Sequence, residues 1–91
     1  MKLLRIIRSP RSDKKWVAEW SDGSATHFGG SGYDDYTLGA SILKRNAYRK
    51  RHASDPIKNP QTAGSLSYYI LWGDSQDMQE NIKSFKKKFN L

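Results

Sequence analysis

Nine consecutive residues, Lys44-Arg45-Asn46-Ala47-Tyr48-Arg49-Lys50-Arg51-His52, hold five cations, no acid and one tyrosine. Lysine and arginine neutralise phosphates and release condensed counterions, and an interleaved tyrosine can pack or stack on a base. The composition therefore points to a phosphate backbone. It encodes no base readout, and it is equally the composition of a solvated helix face with cations near its C-terminus. Lys86, Lys87 and Lys88 form a second, shorter run near the end of the chain.

The stretch His27-Phe28-Gly29-Gly30-Ser31-Gly32-Tyr33-Asp34-Asp35-Tyr36-Thr37 also invites a chemical reading. Glycines let backbone N–H groups approach an anion, but a phosphate loop ends in Gly-Lys-Ser/Thr before a helix, whereas here two carboxylates follow. A turn leaving a strand fits better. Asp34 and Asp35 have no acidic cluster nearby to complete a metal site, and Asp35 two residues before Thr37 reads as helix-entry chemistry. Only two histidines exist, His27 and His52, cysteine is absent, and no nucleophile-elbow pattern marks any serine. No catalytic residue, metal ligand or cofactor is expected.

These groups must be carried by ordered elements. Leu3 to Arg8 and Lys15 to Trp20 read as paired strands joined by the turn Ser9-Pro10-Arg11-Ser12-Asp13. Period two puts Trp16, Ala18 and Trp20 on one face. Asp22-Gly23 can supply the positive φ angles of a tight hairpin, so Ser24 to Phe28 should return as a third antiparallel strand. A helix is expected from about Leu38 to His52, with Leu38, Ile42 and Tyr48 in one sector and Leu43 and Ala47 in another. Asp55-Pro56 and Asn59-Pro60 then interrupt the chain.

Thr62 is a candidate N-cap for a short apolar core helix closing at Gly73. Met78, Ile82, Phe85 and Phe89 follow one helical stripe, with Asp74 or Ser75 as cap and the lysines at the far end, in the order the helix dipole favours. Trp72 and either Trp16 or Trp20 are expected in the packing, since few Leu, Ile and Val are available.

Ninety-one residues leave room for one domain, residues 1–91, and for a small core. Sixteen Lys and Arg against nine Asp and Glu give +7 and a pI near 9.8, so a polyanionic partner is expected. Arg5 and Arg8 interrupt the apolar start, which excludes the continuous stretch of a signal peptide or membrane span. A protein that is neither secreted nor membrane-bound is expected.

The glycine-rich stretch, then Arg45, Tyr48 and Arg51-His52, then residues 59–67 and Ile70-Leu71-Trp72, resemble a family of small uncharacterised proteins encoded by large double-stranded DNA viruses of algae and protists. The likeness covers roughly residues 27 to 91. Gly39, Asn59 and Ile57 depart from the family pattern, which usually shows a histidine, an aspartate and nearby a tryptophan. The resemblance implies a viral origin, in the virion or the interior of an infected cell, and no mechanism.

The expected fold is α+β: a three-stranded antiparallel sheet at the N-terminus followed by two or three packed helices. The expected function is nucleic-acid binding, to DNA or RNA, through phosphates with little sequence preference. Its contacts would be Lys44, Arg45, Arg49, Lys50 and Arg51, with Lys86, Lys87 and Lys88. A minor capsid or scaffold interaction protein, whose cations meet acidic protein surfaces, is the alternative.

Overall fold

Residues 1–91 are described by a computed structural model. Strands β1 (Leu3–Arg8), β2 (Lys14–Trp20) and β3 (Ala25–Gly30) form an antiparallel meander in the order β1-β2-β3. Ile6 lies opposite Ala18, and Trp16 opposite Phe28, so alternation gathers these side chains on the core face. Asp22-Gly23 turns the chain, but only Gly23 takes positive φ, at 86°. Asp22 contributes its side chain instead: Oδ1 accepts from the Ser24 amide at 2.9 Å and from its hydroxyl at 2.6 Å. The link is therefore longer than a two-residue hairpin, and β3 runs on to Gly30.

The expected helix from Leu38 is two pieces. Tyr36–Leu38 is a single 3-10 turn, Gly39 leaves it at φ 101°, and α1 (Ile42–His52) starts afresh with Ser41 as N-cap, its Oγ accepting from the Lys44 amide. Helix α2 (Ala63–Leu66) is capped by Thr62 and continues as a π-helical turn, Ser67–Leu71, in which the Trp72 amide reaches back to the Ser67 carbonyl. Helix α3 (Met78–Lys88) is capped by Asp77, three residues beyond the first of the two caps expected.

The core lies between the sheet and residues 63–71, with α3 closing one end. Leu3, Ala18, Trp20 and Phe28 from the sheet meet Leu66, Ile70, Leu71 and Phe85 from the helices. Met78, Ile82 and Phe89 flank Phe85, so the α3 stripe faces inward as its spacing requires. Trp16 and Trp72 pack at the margin of this cluster. The Trp20 indole donates to Thr26 Oγ1 at 3.1 Å, and that hydroxyl donates to the Gln61 carbonyl at 2.7 Å, tying the sheet to the entry of α2. A radius of gyration of 12.3 Å is that of a compact chain of this length. No helix is long and apolar enough to cross a membrane.

Candidate nucleic-acid interface

Helix α1 buries none of its residues, and Ile42 and Leu43 remain half or more exposed. Its aliphatic residues do not hold it, which explains why its apolar pattern indicates no single face. At 100° per residue, Arg45, Tyr48, Arg49 and His52 share one side, and this polar and aromatic side is the one that docks. Arg45 donates from Nε to the Gly73 carbonyl at 2.6 Å and pairs with Asp74 at 2.6 Å. Arg49 donates to the carbonyls of Trp72 at 2.9 Å and Tyr68 at 3.3 Å, with its guanidinium 4.2 Å from the centre of the Tyr68 ring.

Both arginines thus satisfy carbonyls left open where residues 67–73 leave the helix. They do not project outward. Of the five cations expected to meet phosphate along this run, Arg45 and Arg49 are engaged internally, and Lys44, Lys50 and Arg51 are exposed without a carboxylate partner. An arginine and aromatic pattern at i, i+3, i+4 and i+7 is the signal by which the sequence could have separated the two sets.

The second run divides as well. Consecutive helical residues point 100° apart, so Lys86 lies in a hollow beside Leu3, Ile6 and Ile82, while Lys88 sits 5.4 Å from the centre of the Tyr69 ring. Lys88 and Arg49 line one hollow of about 280 Å³, where the two basic runs come together. Lys87 is exposed.

Inward from Arg51 the rings form a stack. Tyr48 lies 4.6 Å from Trp72 and 4.2 Å from His52, centre to centre, at 12° and 29° between planes. Burial pushes the Tyr48 phenol above the usual tyrosine range, with the Ser67 hydroxyl and Arg51 pulling the other way and the Asp55 charge adding to the rise. His52 shares a hydrogen bond from Nδ1 with Asp55 at 2.6 Å. Tyr48, Arg51, His52 and Trp72, with Lys15, Gly29, Gly30 and Tyr33, line a cleft of about 310 Å³ between α1 and the end of β3.

The glycine-rich stretch forms the other wall. Asp35 is 1% exposed and caps the 3-10 turn: Oδ1 accepts from the amides of Thr37 at 2.9 Å and Leu38 at 3.2 Å, and Oδ2 from Lys15 Nζ at 2.7 Å. One carboxylate oxygen is thus engaged by the turn and the other by Lys15 of β2. His27 shares a 2.7 Å hydrogen bond with Ser9 across the sheet. Gly29, at φ 78°, leaves room for Leu71: a Cβ there would stand 2.8 Å from Leu71 Cδ1. At Gly30 a Cβ would lie 2.7 Å from the Tyr33 ring. Gly29 and Gly30 admit neighbouring side chains. No three His, Asp or Glu side chains gather as a metal site would require.

Residues 4–52 match the model of a family of unknown function, DUF5754, and span β1 to the end of α1. An uncharacterised protein, L851, of Acanthamoeba polyphaga mimivirus is 34% identical over 80 residues, covering 76% of this chain and 80% of that protein. No solved structure matches. The chain belongs to the DUF5754 family, and the viral resemblance read over roughly residues 27 to 91 agrees with these matches.

Proposed function

We propose that this member of the DUF5754 family is a nucleic-acid-binding protein that holds its partner through phosphates with little sequence preference. One observation carries the reading: α1 buries no residue, yet displays Lys44, Lys50 and Arg51 to solvent with no acid among its own residues. Of the sixteen lysines and arginines, only Arg5, Arg11, Lys15 and Arg45 pair with carboxylates. The positive excess is therefore carried on the surface, where a polyanion gains from releasing counterions. In a viral setting a genome or its transcripts would be that polyanion.

Binding to duplex DNA measured across a salt series tests this. Three phosphate contacts from Lys44, Lys50 and Arg51 correspond to a slope of log K against log salt of about −3. Replacing the three together with glutamine should flatten the slope by about 2 to 3 units and leave the circular dichroism spectrum unchanged. Absence of binding to DNA or RNA at low salt overturns the reading.

A second reading, an interaction protein of capsid or scaffold type, draws on a different observation. Leu38, Ile42 and Leu43 are 64%, 50% and 78% exposed around the start of α1, an apolar group beside cations that would suit an acidic protein surface. It takes first place if nucleic acid does not bind.

A further inference from the structure

Tyr33 is the most exposed aromatic side chain among the large hydrophobic residues left open to solvent, at 75%. It is also held in place. Its amide donates to the Gly30 carbonyl at 3.3 Å, closing a turn, and its ring rests on the bare backbone of Gly30, where any Cβ would collide with it. One side of the ring is thus supported by the chain and the remainder faces water.

Around this ring the surface is grooved. On one side lies a depression of about 620 Å³ bordered by Arg8, Lys14 and Trp16; on the other is the smaller cleft that Arg51 borders. Tyr33, Lys15, Asp34 and Asp35 line both, so the two adjoin at the ring. Arg8 lies 5.0 Å from the centre of the Trp16 ring, and neither Arg8, Lys14 nor Arg51 has a carboxylate partner. Asp35 is neutralised by Lys15 beneath the surface. Asp34 is the one exposed carboxylate here, and its Oδ1 accepts from the Asp35 amide at 2.9 Å.

From this geometry we infer that the groove takes single-stranded nucleic acid, with a base stacked on Tyr33 and the adjoining phosphates met by Arg8 and Lys14 on one side and Arg51 on the other. A positively lined groove with an aromatic platform recognises single strands because only an unpaired base offers its face. Duplex, whose bases are stacked on each other, can meet α1 but cannot use Tyr33. The inference deepens the proposed function and rests on it, adding the strand form and the stacking residue.

The test compares a fluorescent oligothymidine of about ten nucleotides with a duplex of equal length at low salt, by anisotropy. Tyr33→Ala should weaken single-strand binding by about ten-fold and leave duplex binding unchanged, and Tyr33→Trp should restore it. Arg8→Gln with Lys14→Gln should flatten the salt slope for the single strand by about 1 to 2 units. If both strand forms bind and neither responds to Tyr33→Ala, this inference falls while phosphate binding by α1 stands. If neither form binds, both fall together.

Discussion

Asp35 shows how much one side chain can fix. It caps a 3-10 turn, accepts from the Thr37 hydroxyl at 2.5 Å, and holds the ammonium of Lys15, whose side chain is only 11% exposed. Removing one partner of a buried pair strands the other. Asp35→Ala should therefore destabilise the fold by about 3–5 kcal/mol, more than a lost cap alone, as read from the urea midpoint. Tyr48 gives a pH dependence. Burial raises its pKa above the unfolded value, so its contribution to stability is complete below the unfolded pKa and is lost as pH rises through the folded one. Denaturation followed above a pH of about 10 should show a loss that Tyr48→Phe reduces. The role of Asp35 was legible from its place before Thr37. The Tyr48 stack was not, because Trp72 lies 24 residues away and only the fold brings the rings together.

At the scale of elements, the strands and α3 were readable because one periodicity decided each. Trp16, Ala18 and Trp20 alternate toward the core, and Phe85 with its neighbours forms one stripe. Helix α1 resisted because it docks through guanidinium groups on backbone carbonyls, an interaction that leaves no apolar period in the sequence. Its cation run was legible as a run but not by direction. Arg49→Ala would leave the carbonyls of Tyr68 and Trp72 unsatisfied and should cost about 1–3 kcal/mol. The loss should be local: amides of α1 exchange faster while those of β2 keep their protection. Lys50→Ala, on the outward side of the same helix, should change neither. The Gly73 turn constrains α3 in a similar way. A Cβ at Gly73 would stand 2.3 Å from the Tyr69 carbonyl, and Asn81, 3% exposed, donates to the carbonyls of Ile70 at 2.8 Å and Ser75 at 2.7 Å. That buried asparagine fastens two helices and gave no sign of itself in the stripe.

For the molecule as a whole, fourteen buried residues of 91 make a small core, so each large member carries a sizeable share of the stability. Phe85→Ala should cost about 3–5 kcal/mol, comparable with the entire stability of a marginal domain, and thermal unfolding should show a low or absent transition. The charge balance is a property of this scale too. At +7 the protein repels its own copies at low ionic strength, which favours the dispersed state.

Strand β1 lies on the outside of the sheet, with Leu4 62% and Ile7 38% exposed, and its free edge can template another strand. Arg8, which has no carboxylate partner, guards that edge by like-charge repulsion between molecules. In about 1 M salt the screening length falls to about 3 Å, so salt disarms the guard. Light scattering should rise with salt for the wild type, and Ile7→Lys should keep the solution clear.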